Sequence, residues 1–203
     1  MYIKRNIEET INKISNNFKV LLLTGPRQVG KTTLLKHLIN GSQRTYVTLD
    51  DLLVRNLAIT DPALFLQKYT PPILIDEIQY APQLLNYIKM YVDTQDINGI
   101  IWLTSSIKLS SIRSTIEILG DRVGVLPLYG LELSEITNNK DYSSFSPKLE
   151  HLLSRSKVMT HYSLKEIYKV IWQGCMPHIY NGSYNEWQNY YASYVQALLH
   201  MMY

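Results

Sequence analysis

Leu21-Leu22-Leu23-Thr24-Gly25-Pro26-Arg27-Gln28-Val29-Gly30-Lys31-Thr32-Thr33 decides the reading of this chain. An apolar run opens into the spacing GxxxxGKT, and a helical pattern of Leu34, Leu35, Leu38 and Ile39 follows. Strand, glycine-bearing loop and helix in that order are the context in which this spacing cradles phosphate. Gly25 and Gly30 let the main chain turn tightly, so that successive N–H groups from Pro26 through Thr33 converge on phosphate oxygens, Pro26 itself lacking a donor. Lys31 brings a positive charge to the β- and γ-phosphates, and the Thr32 hydroxyl is a ligand for Mg²⁺. Arg27 and Gln28 lie inside the loop, with side chains read as facing solvent or a neighbouring subunit.

Outward from this loop, strand and helix signals alternate. Residues Ile3 to Phe18 carry Ile7, Ile11, Ile14 and Phe18 at helical recurrence. Val20 to Thr24 is the first strand, Thr32 to Ile39 the phosphate-loop helix, Arg44 to Leu49 the second strand, and Asp50 to Leu57 a helical start. Asp61-Pro62 reads as an N-cap with proline at the first helical position, opening a helix through Gln67. Ile73-Leu74-Ile75 is a third strand too apolar to face water on either side, Ala81 to Val92 is helical, and Ile100 to Leu103 and Val123 to Leu126 are strands four and five. Such alternation predicts an α/β fold, a parallel sheet with helices on both faces.

The third strand ends in Asp76-Glu77, at the carboxyl edge where open α/β sheets hold ligands. It reads as a Walker B element. Asp76 would orient Mg²⁺, directly or through water, and Glu77 would polarise the water that attacks the γ-phosphate. Only one strand separates this element from the phosphate loop, and a polar terminus, Thr104-Ser105-Ser106, ends strand four. The chain thereby resembles the additional-strand class of P-loop ATPases, which implies the sheet order 5-1-4-3-2 and a polar tip of strand four near the γ-phosphate. One of these hydroxyls, Ser106 first among them, is then a sensor; capping of the following helix is the competing role. Arg122 precedes strand five and has three candidate roles: sensor, arginine finger across an interface, or structural ion pair.

Taken in order, GPRQVGKTTL, YVTLDD, Asp61-Pro62 with Phe65-Leu66, LIDEIQYAPQLLNYIK, WLTSS and GDRVGVLPLYGLELSE resemble the prokaryotic AAA+-like ATPases that carry a C-terminal domain of unknown function. The resemblance covers about residues 3–136. It implies ATP and Mg²⁺ as cofactors, with Lys31, Thr32, Asp76 and Glu77 at the nucleotide, metal and base positions. Three departures stand out. Thr104-Ser105-Ser106 replaces the family's common Thr-Gly-Ser, and Gly120-Asp121-Arg122 replaces Ala-Gly-Arg, placing a carboxylate beside the arginine. Last, Trp172-Gln173-Gly174 with Pro177 and the helix around Tyr194 match only the opening of the C-terminal domain. The resemblance thus implies a natural truncation or a gene remnant.

The expected organisation is an ATPase domain over residues 1–136, a linker over 137–149 rich in Ser and Asn, and a partial helical C-terminal region over 150–203. In that region Trp187, Tyr191, Tyr194, Val195 and Leu198 recur at helical spacing, and the tyrosines read as a packed or interfacial stripe.

Composition narrows the rest. A chain of 203 residues suffices for one main domain and a smaller piece. The net charge of +3 permits an acidic partner or nucleic acid without demanding either, because Lys and Arg are scattered. Met1 to Thr10 lacks the apolar core of a secretory signal, and no stretch reaches membrane-spanning length, so cytoplasmic residence is the expectation. Cys175 is the only cysteine, which excludes an intramolecular disulfide, and the five histidines show no ligand spacing. Three functions fit: an ATPase whose hydrolysis drives a conformational change, a nucleotide-dependent binding module without turnover, and an ATP-dependent nucleic-acid factor, the least supported. An unknown protein partner or self-association accompanies the first two.

Overall fold

The computed structural model of the chain describes residues 2–106, 109–138, 147–156, 162–180 and 187–202. It divides into two compact units, Arg5–Tyr129 and a second made of Met1–Lys4 with Gly130–Tyr203. The break falls at Tyr129–Gly130, ahead of residue 136, where the composition of the sequence changes. Most of the expected linker, 139–146, lies outside the described residues.

The larger unit is a five-stranded sheet in the order β2-β3-β4-β1-β5. Its strands are β1 (Val20–Gly25), β2 (Thr45–Thr48), β3 (Ile73–Asp76), β4 (Ile101–Ser106) and β5 (Val123–Pro127), and every neighbouring pair is parallel. This is the order expected from the sequence, read from the other edge. The helices are α1 (Glu8–Asn17), α2 (Lys31–Leu38), α3 (Leu52–Thr60), α4 (Pro62–Lys68), α5 (Leu84–Asp93) and α6 (Leu109–Leu119). Asp51 caps α3 through Leu53 and Val54 N–H, and Asp61 caps α4 through Leu64 N–H with Pro62 at its start. The largest inward shifts are at two helix starts. The first helix begins at Glu8 rather than Ile3, and α5 begins at Leu84, after a 3₁₀ turn over Ile78–Tyr80.

Side chains alternate across the sheet, so each strand serves two cores. Val20, Leu22, Val47, Ile73, Ile75, Ile101 and Leu103 face one way and pack with Ala58, Phe65, Leu66, Leu84 and Ile88 from α3, α4 and α5. The residues between them turn to the other side. There Trp102 donates its indole N–H to Ser15 of α1, and Asp76 meets Thr32 of α2. All of β1, β3 and β4 is buried, as a sheet covered on both faces requires. Phe65 is fully buried and lies 5.0 Å from the Tyr69 ring. Phe65→Ala should therefore cost about 3–5 kcal/mol, read as a lower urea midpoint with an unchanged slope.

In the second unit, α7 (Leu133–Ile136), α8 (Leu149–Ser156), α9 (Leu164–Gln173), α10 (Pro177–Tyr180) and α11 (Trp187–Met202) are all short except the last. Capping boxes open two of them: Glu132 with Glu135 at α7, and Ser163 with Glu166 at α9. The tyrosine stripe forms a ring stack, with Tyr190 at 6.2 Å from Tyr194 and 5.2 Å from His178. Leu164, Ile171 and Trp172 leave α9 with an exposed apolar face.

Candidate nucleotide-binding site

Strand register sets the site. Gly25 pairs with Ser106, Leu23 with Thr104, Ile75 with Leu103 and Thr48 with Asp76, so the carboxyl ends of β1, β4, β3 and β2 share one edge. From that edge Gly25 leads through the loop to Gly30 and into α2. Gly30 has φ 94°, the left-handed region that glycine enters without a Cβ penalty. A Cβ on Gly25 would stand 2.1 Å from the Leu128 carbonyl oxygen. The loop is thus packed directly against the segment that leaves β5.

Lys31 is buried, 5% exposed, and its ammonium donates to the Gly25 carbonyl at 3.0 Å, the Pro26 carbonyl at 2.8 Å and Ser106 Oγ at 3.5 Å. Burial pushes its pKa below the usual lysine value; Glu77 and Asp76 oppose that shift, and Arg27 adds to it. The loop is braced from beneath by Arg5, itself buried, which donates to the Val29 carbonyl at 2.9 Å and the Tyr129 carbonyl at 2.8 Å.

Opposite Lys31 stands the acidic pair. Asp76 is 4% exposed and accepts from Thr104 Oγ1 at 2.5 Å, Thr32 Oγ1 at 2.9 and 3.0 Å, and the Tyr46 hydroxyl at 3.2 Å. Glu77 leaves the strand at φ 60°, unusual for a residue with a Cβ, and its N–H donates to Thr104 Oγ1 at 2.9 Å. Its carboxylate accepts from Ser106 Oγ at 3.0 and 2.9 Å and from the Gln79 side-chain amide. Holding a non-glycine residue in this backbone region costs about 1–3 kcal/mol, which the surrounding contacts offset.

The sequence profile of the AAA domain matches residues 17–137. The chain belongs to the AAA domain family. Two curated relatives, uncharacterized proteins of Mycobacterium tuberculosis (strain ATCC 25618 / H37Rv) and Mycobacterium bovis (strain ATCC BAA-935 / AF2122/97), are each 29% identical over 134 residues. That match takes in 66% of this chain and 30% of theirs, so the chain spans under a third of their length. Among solved structures, the Walker-type ATPase of Pyrococcus abyssi is similar in fold, with a TM-score of 0.58, 17% identity, and coverage of 99% of this chain and 74% of that one. At the family level this is an AAA domain with the P-loop fold.

Within this AAA domain, Gly25 to Thr33, Asp76, Glu77 and Ser106 gather at one sheet edge. Arg27 turns inward and donates to the Tyr80 hydroxyl at 3.2 Å, while Gln28 and Thr33 are exposed. Arg122 is not brought to the edge. It lies ahead of β5, whose first residue pairs with Val20 at the far end of β1, about five strand residues or roughly 16 Å from Gly25. There it pairs with Asp93 of α5 and with Asp121 at 2.9 Å, so within one chain it holds a structural ion pair and reaches no phosphate. Sequence reasoning named Asp121 as its neighbour and missed Asp93. It also missed Arg5, Tyr46, Gln79 and the double contact of Thr104; only the alternation that sends Thr104 and Asp76 to one face was available as a signal.

The donor set fits a hard, oxygen-seeking cation. Thr32 Oγ1 lies 2.9 and 3.0 Å from the Asp76 oxygens, close to the roughly 2.9 Å between neighbouring oxygens in an octahedron of 2.0–2.1 Å bonds. No cluster of three or more His, Cys, Asp or Glu occurs among the described residues. A cation that takes one or two protein oxygens and completes its shell with phosphate and water suits such a site. Among the described residues no helix is long and apolar enough to cross a membrane.

Proposed function

We propose that this protein is a Mg²⁺-dependent ATPase that hydrolyses ATP to ADP and phosphate and uses the cycle to change conformation. One observation carries the reading: Thr32 and Asp76 meet across the phosphate loop while Glu77, next in the chain, is held at the same edge by Ser106. Thr32 and Asp76 would hold Mg²⁺, which when bound neutralises charge on the β- and γ-phosphates. Lys31 swings from the Gly25 and Pro26 carbonyls to phosphate oxygens, exchanging neutral acceptors for charged ones. Glu77 accepts a proton from the attacking water as its oxygen bonds to the γ-phosphorus and the bond to the ADP oxygen breaks. Ser106 contacts both Glu77 and Lys31, so it registers whether the γ-phosphate is present. Adenine is favoured over guanine because no NKxD base-reading motif occurs at a plausible position.

Arg122 remains available only to a neighbouring copy or to its own fold, and a second copy or another protein is the partner proposed for the conformational change. Calorimetric titration of ATP with Mg²⁺ tests the reading. Removal of the ammonium in Lys31→Ala should weaken ATP binding about 10- to 100-fold, the worth of a charged hydrogen bond. Equal affinities for the variant and the wild type, or no heat from either, would refute it. Mass measurement in each nucleotide state tests the self-association.

A further inference from the structure

Asp76 is gripped from three directions. Thr32 Oγ1 faces the carboxylate edge, nearly equidistant from its two oxygens, while Thr104 approaches Oδ1 alone and the Tyr46 hydroxyl approaches Oδ2 alone. The last contact comes from β2, a strand that carries none of the site residues expected from the sequence. Tyr46 pairs with Leu74, and Leu74 and Asp76 are two residues apart on one face of β3. A tyrosine is long enough to span that diagonal, where a shorter side chain would stop at Leu74.

A second contact ties the same ring to the phosphate-loop helix. Lys36 Nζ stands 3.6 Å from the centroid of the Tyr46 ring. Thr32 and Lys36 are four residues apart on α2, so they share a helix face. A cation over the ring attracts its π face and so helps hold the phenol in place beside Asp76. Two routes therefore run from α2 to Asp76, one through Thr32 and one through Lys36 and Tyr46.

We propose that Tyr46 is a positioning residue for the metal-binding carboxylate: with Thr104 it fixes the plane of Asp76, so that the carboxylate edge facing Thr32 is presented to Mg²⁺. A phenol keeps its proton at neutral pH, so the hydroxyl is a donor to the carboxylate. Partners that orient a ligating carboxylate typically contribute 10- to 100-fold to metal affinity when removed one at a time. The inference rests on the Mg²⁺-dependent reading above.

The test is the ratio of ATP dissociation constants in EDTA and in saturating Mg²⁺, measured by fluorescence of a labelled ATP analogue. For Tyr46→Phe the ratio should fall about tenfold while the EDTA constant stays at the wild-type value. A merely structural role would change both constants together. Lys36→Met leaves the ring and its hydroxyl in place and should lower the ratio about twofold to fivefold. It carries the test alone should Tyr46→Phe fail to fold. A wild type that responds to Mg²⁺ beside folded variants with unchanged ratios would overturn this inference alone. A wild type indifferent to Mg²⁺ would overturn the underlying reading and this inference with it.

Discussion

Glu77→Gln should slow phosphate release about 10²- to 10⁴-fold while ATP still binds, the loss typical of removing a general base. The substitution is nearly isosteric, and the amide oxygen can still accept from Ser106 Oγ, which lies 2.9–3.0 Å from the carboxylate. The main-chain contact from Glu77 N–H to Thr104 does not involve the side chain and persists. What disappears is the negative charge that takes the proton from water. Phosphate release and ATP calorimetry on the same preparation separate the outcomes. Equal rates above background would remove Glu77 from the base role; equal rates at background would leave a nucleotide-dependent binding module in place of an enzyme.

Gly25→Ala should be the most damaging single change in the loop. The new Cβ would lie 2.1 Å from the Leu128 oxygen and 3.2 Å from its carbonyl carbon, far inside van der Waals contact. Neither side can yield cheaply. The Leu128 N–H donates to the Thr24 carbonyl at 2.7 Å, so the obstructing backbone is hydrogen-bonded to the residue before the glycine. Relief requires moving either the end of β1 or the segment after β5, at a cost of about 3 kcal/mol or more. Urea unfolding should show that loss, and ATP binding should fall with it because the displaced loop carries the Lys31 acceptors. A variant that melts and binds like the wild type would show that the packing of Gly25 against Leu128 is unimportant.

The Arg122 result illustrates the limit of local reading. Its nearest charged neighbour in sequence, Asp121, was visible, and that pair forms at 2.9 Å. Its other partner, Asp93, lies 29 residues back at the end of α5. No periodicity or spacing relates the two. Their encounter depends on α5 and β5 reaching the same end of the sheet, the end opposite the phosphate loop.

The place of β4 between β1 and β3 was implied by the family resemblance alone, and the sheet bears it out. The sequence by itself determined the phosphate loop, the acidic strand end and the parallel sheet. These are local properties: a strand, a turn and a helix follow one another in a dozen residues, and apolar alternation needs no partner to be recognised. Asp61 as a helix cap belongs with them, bonding within three residues of itself. Only the tertiary structure decided which side chains surround those motifs. Tyr46 meets Asp76 across 30 residues, Thr104 meets it across 28, and Arg5 meets Tyr129 across 124. Such contacts arise from strand register and from which face each helix covers, and two parallel strands joined by a crossover carry no record of their register in either strand alone.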